Sequence, residues 1–354
     1  MKRKYLVFLS LILFIGFSFN ISPAQAQIKL TFNNYLPPIH VASQLSAEYC
    51  KEIEKRTHGA VKITHYAGGQ LLKGPEVFQG VVNDIADIGF TNLAYTRGRF
   101  PEMEMCDLPL GMPSGWVATY VVNKFYEKYK PKGFDKVKVL FFVGSGPNLV
   151  STTSWPIYRL EDLKGQTLRA TGRVAEVADA LGATSRPIVI GETYEALKRH
   201  VISGVMLPLE TMKTFRLGEL LKYSTTDWKV GNIYTFYAVM NKSKWDSLPA
   251  NIKKVFEELN KEFIDKEAMG WNDIDLAGAK FFKSKGGKFI TLSNAEEAKW
   301  VKAVKPVIDA YIKETSKLGV SAAELEKRIE FIEKTRDEMT KVQLSKKIPM
   351  PYAE

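Results

Sequence analysis

The side chain whose type and setting most invite chemistry is Arg169. It closes the run Thr167-Leu168-Arg169, with the loop Asp162-Leu163-Lys164-Gly165 before it and the turn Ala170-Thr171-Gly172 after it. Helical periodicity then runs from Arg173 to Leu181. A guanidinium at the end of a strand and beside a helix start faces the place where an α/β protein opens its cleft. Its planar fork of donors matches a carboxylate at two points, which a lysine cannot do. For an arbitrary arginine an exposed ion pair is the commoner role; the surrounding sequence favours the cleft.

The residues of catalysis are mostly missing. His40, His58, His65 and His200 do not pair at metal-ligand spacing, and His65 alternates within a strand. There is no G-x-S-x-G elbow, and Gly144-Ser145-Gly146 lacks its flanks. Neither a G-x-x-x-x-G-K-[ST] phosphate loop nor a G-x-G-x-x-G fingerprint occurs. No metal and no cofactor is expected. Acid–base pairs leave little trace in sequence, so an enzyme stays open but disfavoured. After the leader, only Cys50 and Cys106 remain. In an oxidising compartment they could pair, while Cys50 on the apolar side of a helix also fits simple packing.

The elements that must hold Arg169 alternate. Strands are expected at 28–32, 61–66, 87–91, 137–143, 148–152, 167–170, 186–190 and 234–241, with another segment after Gly204. Helices are expected at 40–56, 75–82, 114–129, 173–181 and 193–201. A long amphipathic helix runs from Pro249 to about Lys283, stopped by Gly286-Gly287, and further helices follow to about Lys341. This pattern predicts an α/β fold with a mainly parallel sheet in each half.

Residues 1–26 read as a secretory leader. Lys2, Arg3 and Lys4 precede the apolar run Tyr5 to Phe19, and Ala24-Gln25-Ala26 closes it, so cleavage is expected after Ala26 and the product in the periplasm. Removing the leader takes the net charge from +11 to +8. Lysines interleave with glutamates, as in Lys253-Lys254-Val255-Phe256-Glu257-Glu258, which makes a solvated face and not a nucleic-acid stripe. Roughly 330 remaining residues suggest two domains.

A family likeness now emerges. The chain resembles the solute-binding proteins of TRAP transporters, the DctP family, from about Ile28 to Leu325. The markers include Lys55-Arg56-Thr57-His58-Gly59 (the family usually has Asn at His58), Gly68-Gly69-Gln70-Leu71 and Ile85-Ala86-Asp87-Ile88-Gly89-Phe90. The strongest is Leu160-Glu161-Asp162-Leu163-Lys164-Gly165 followed by Leu168-Arg169. Gly191-Glu192-Thr193-Tyr194-Glu195-Ala196-Leu197 and Asn241-Lys242-Ser243-Lys244-Trp245 come later. The resemblance implies a two-lobed periplasmic binding protein fold with a long helix spanning both lobes. The expected lobes are 27–147 plus 238–278 and 148–237 plus 279–354, with the cleft between them. It implies capture of a small organic acid by Arg169 and delivery to TRAP membrane permease subunits, with no nucleic acid involved.

The chain departs from the family where many sialic-acid and dicarboxylate binders carry a second arginine: that place holds Asn148. Leu207 stands where a pocket asparagine is common, Ile190 at an aromatic position and Trp228 at a histidine position. Phe90, Asn92 and Tyr95 are the expected first-lobe pocket residues, and Tyr35 is counted with them. Fewer charges and more aromatic and aliphatic wall predict a monocarboxylate with an apolar or aromatic body. Phe90, Tyr95 and Trp228 also fit ordinary core. Arg173 and Arg186 would restore a dicarboxylate site if they faced the cleft. An ABC or sensor-coupled binder and an exported α/β enzyme are the remaining alternatives.

Overall fold

The computed structural model describes residues 27–351, so the leader and its cleavage point lie outside the described residues. In chain order the elements are β1 (Ile28–Asn34), α1 (Val41–Arg56), β2 (Val61–Tyr66), α2 (Val77–Val82), β3 (Ile88–Asn92), α3 (Gly115–Tyr129) and β4 (Val137–Gly144). Then come β5 (Leu149–Thr152), β6 (Thr167–Arg169), α4 (Arg173–Ala180), β7 (Thr184–Arg186), α5 (Thr193–Lys198), β8 (Gly204–Leu207) and α6 (Glu210–Thr214). The last third holds β9 (Tyr223–Thr226), β10 (Thr235–Asn241), α7 (Lys242–Ser247), α8 (Ala250–Ser284), β11 (Lys288–Thr291), α9 (Asn294–Ser316) and α10 (Ala322–Ser345).

Two mixed sheets result, ordered β2-β1-β3-β10-β4 and β11-β9-β5-β8-β6-β7. The helix-connected strands pair in parallel, as β1 does with β2 and β3, whereas β10 runs antiparallel between β3 and β4. Every residue of β3 and of β10 is buried, as a strand covered on both faces requires. The strand expected at 186–190 stops at Arg186, because Pro187 has no N–H to continue a ladder. Sequence reading missed β9, which is short and polar (Tyr-Ser-Thr-Thr). Its hydroxyls are satisfied inside the fold, Ser151 Oγ donating to Ser224 Oγ (2.9 Å) and Thr225 Oγ1 to the Ile157 carbonyl (2.8 Å). At the end of α1, His58 takes the left-handed conformation (φ 51°) that asparagine and histidine tolerate better than most residues.

Helix α8 ties the two sheets together. At 35 residues it is about 52 Å long, and one stripe of it, including Ile252, Phe256, Leu259, Phe263, Trp271 and Phe282, is buried. It packs on α1, α3 and β4 and, around Gly278, on α6. Gly278 permits the closest of these contacts: a Cβ there would lie 2.0 Å from the Leu209 carbonyl oxygen. Cys50 and Cys106 are both buried and unbonded.

Glu267 on α8 is fully buried, with Trp271 Nε1 donating to its Oε2 (3.0 Å). Burial pushes its carboxyl from 4.5 to about 8. The folded state therefore binds this proton more tightly than the unfolded chain does. The associated stability is full below pH 4.5 and is lost as pH rises through about 8. We expect Glu267→Gln to gain melting temperature relative to the parent as pH rises across that window. Melts at pH 5, 6.5 and 8 check this; a constant difference between the two proteins would refute it.

Candidate functional site

Arg169 sits at the C-terminal end of β6, between β8 and β7, with parallel neighbours on both sides. Its side chain is 2 % exposed. Nε donates to the Ile188 carbonyl (2.8 Å) and Nη1 to the Tyr234 hydroxyl (3.1 Å). The same hydroxyl accepts from Thr171 N (3.3 Å), so the turn after β6 and the start of β10 lock the guanidinium in place. Among the described residues no carboxylate forms an ion pair with Arg169. A guanidinium dehydrated among phenols and a carbonyl keeps both charge and donor capacity for an incoming anion.

Around it lies a small cavity, with about 340 Å³ of space free of atoms when the part open to solvent is included. Of the residues singled out from sequence, Arg169, Asn92, Tyr95, Ile190, Leu207 and Tyr35 line it. The first-sheet side is braced by Asn92 Nδ2 donating to Tyr35 Oη (2.8 Å) and by the edge-to-face pair of Tyr35 with Tyr95 (5.5 Å). Tyr95 Oη accepts from Ile190 N (3.2 Å), joining the loop after β3 to the loop after β7. Tyr35, Tyr95, Ile190 and Phe215 also line a larger outer recess, so these four side chains separate the inner cavity from the mouth.

Three expected residues are elsewhere. Phe90 points into the first sheet's core, fully buried and stacked on Phe236 (5.7 Å), and only Phe236 reaches the cavity. Asn148 lies at the entry to β5, its Nδ2 donating to the Asn232 carbonyl (3.0 Å), and is not on the wall. Trp228 lines two other cavities with Lys229, Lys283 and Phe289. In each case the position along the chain leaves open which way the side chain turns. Sequence reasoning missed Glu210, Thr171, Phe215, Tyr234 and Phe236. Tyr234 had a signal, as the first residue of a strand expected to return to the first half; Glu210 had none.

The spare cations are not at the site. Arg186 is exposed at the end of edge strand β7. Arg173 is buried at the start of α4, its Nε donating to Glu104 Oε2 (3.1 Å) and its Nη1 to Glu176 (3.0 Å). Glu104 precedes α3, on the side of the first sheet, while α4 packs on the second, and Arg97 to Glu176 adds a parallel link. Gly172, just before α4, has φ 59° and backs onto Ala94, where a Cβ would come within 2.7 Å. The two halves therefore meet tightly around the cavity.

Comparison with known proteins agrees with this architecture. Residues 32–315 match the family described as bacterial extracellular solute-binding protein, family 7 (DctP). The C4-dicarboxylate-binding periplasmic protein DctP of Rhodobacter capsulatus is 26% identical over 299 residues, covering 81% of this chain and 87% of that one. A TRAP periplasmic solute binding protein of Desulfovibrio salexigens, an open complex, superposes with a TM-score of 0.78 at 30% identity over 88% of this chain and 97% of that one. A TRAP solute binding protein of Rhodoferax ferrireducens in complex with benzoate shares the fold at a TM-score of 0.83 and 20% identity, covering 89% and 99%. With a family match across most of its length, the chain belongs to the DctP family, the periplasmic solute-binding proteins of TRAP transporters.

Proposed function

We propose that this TRAP solute-binding protein captures a monocarboxylate with an apolar or aromatic body and hands it to its permease. The observation that carries this reading is the cavity wall. Arg169 is the one cation among its lining residues, and the rest are largely Tyr35, Leu36, Tyr95, Ile190, Leu207, Phe215, Tyr234 and Phe236. One carboxylate satisfies one bidentate fork. A second would find no cation on the wall and would share it with Glu210, at the usual cost of like charges in a dry site. Relatives in the family are named for both dicarboxylates and monocarboxylates, so the choice rests on the cavity alone.

The test is a set of thermal melts of residues 27–354, freed of bound acid by denaturation and refolding. The panel holds benzoate, phenylacetate, isovalerate, 2-oxoisovalerate, succinate and malate. A ligand specific to the folded state raises the melting point by mass action. Shifts with the first four and none with the last two are expected. Shifts confined to the dicarboxylates would overturn the monocarboxylate reading.

A further inference from the structure

Besides Arg169 and the aromatic wall, Glu210 faces the cavity. Its placement is specific. The Glu210 backbone N–H donates to Asp275 Oδ1 of α8 (2.8 Å), and three residues further along that helix Gly278 lets the Leu209–Glu210 backbone press against it. The side chain is 4 % exposed and lines the cavity. Its Oε2 is buried without a hydrogen-bond partner.

The nearest protein group is His40, whose Nε2 stands 3.5 Å from Glu210 Oε2. His40 Nδ1 accepts the Ala42 N–H (3.0 Å) as the cap of α1, so the ring proton sits on Nε2 and faces the carboxylate, beyond good hydrogen-bond range. Asn92 repeats the pattern. Its Nδ2 is committed to Tyr35, and its Oδ1 is a second buried acceptor without a partner among the cavity-lining residues. Arg169 and Glu210 both act electrostatically on the Tyr35 phenol, so anion-binding and acceptor groups belong to one small space.

Resting on the monocarboxylate reading, we propose that Glu210 and Asn92 form an acceptor subsite. It selects acids that carry a hydrogen-bond donor, a hydroxyl or an ammonium, on the skeleton held by Arg169. A site that leaves buried acceptors unpaired discriminates against the analogue lacking the donor. Glu210 is then a specificity-determining residue, with Asp275 and Gly278 as its positioning residues.

Calorimetry on the refolded protein tests this with two matched series: phenylacetate, mandelate, O-methylmandelate and phenylglycine; and isovalerate, 2-hydroxyisovalerate and valine. We expect at least one donor-bearing acid to bind about tenfold or more tighter than its parent acid. The methyl ether, which accepts but cannot donate, should lose that gain. Preference for mandelate or 2-hydroxyisovalerate marks a hydroxyl ligand; preference for phenylglycine or valine marks an ammonium. In Glu210→Leu, which has no acceptor atom, the donor-to-parent ratio should fall toward one, while a purely structural role would lower all affinities together and keep the ratio. Parent and donor-bearing acids binding the unaltered protein equally would overturn this inference and leave the monocarboxylate reading standing. No binding by any of these acids would overturn both. The ligand series alone decides the matter if the variant fails to fold.

Discussion

Arg169→Ala is expected to lose carboxylate binding by about 30-fold to several thousand-fold, the equivalent of about 2–5 kcal/mol for truncating one partner of a buried charge pair. The reason is geometric. Arg169 is dehydrated at the end of β6, its Nε spent on the Ile188 carbonyl and one Nη on Tyr234, and these bonds aim the remaining donors. A carboxylate entering the cavity gives up its water, and no other lining cation replaces it. Arg169→Lys should recover little, because an ammonium cannot hold Ile188 and Tyr234 and still meet both ligand oxygens. Titration calorimetry with the acid that gives the largest melting shift measures the loss, with circular dichroism to confirm that the variants fold. An alanine variant within threefold of the parent would remove Arg169 from the anchor role.

The second large effect is expected at Arg173, an arginine four residues away with a different task. It is buried between Glu104 on one side and Glu176 on the other. Burial pushes the Glu104 carboxyl upward and Arg173 draws it back down. Arg173→Met strands that carboxyl, with a cost of about 3–5 kcal/mol for breaking a buried pair. Because the pair joins elements on the two sheets, part of the cost should fall on the closed arrangement. We expect a lower urea midpoint and a larger radius of gyration with ligand present by small-angle scattering. The ratio of monocarboxylate to dicarboxylate affinity should stay constant, since Arg173 does not touch the cavity. Adding Glu104→Gln should restore part of the stability, as coupled neighbours do. A Met variant with the parent's urea midpoint and compactness would show the pair to be dispensable.

Much of the architecture was legible because it is written in local pattern. The alternation of strands and helices, the cap-to-stop length of α8 and the strand–turn–helix around Arg169 all follow from periodicity and from Gly and Pro at the boundaries. Pro187 shows the limit of that reading: the apolar run 186–190 reads as a strand until its missing N–H is counted. Polar β9 was illegible for the opposite reason, since its hydroxyls find partners only across the sheet.

The site divides the same way. The place of Arg169, the proposed anchor, at a strand end was legible in the sequence alone, because it depends on neighbours within a dozen residues. Tertiary structure decided the rest. It turned Phe90 into the core behind Phe236, set Trp228 against other cavities, and gave Arg173 to Glu104. It also brought Glu210 beside His40 across 170 residues of chain and seated it on Gly278 and Asp275. These outcomes depend on which way each side chain turns and which distant backbone it meets, and one-dimensional spacing carries no record of either.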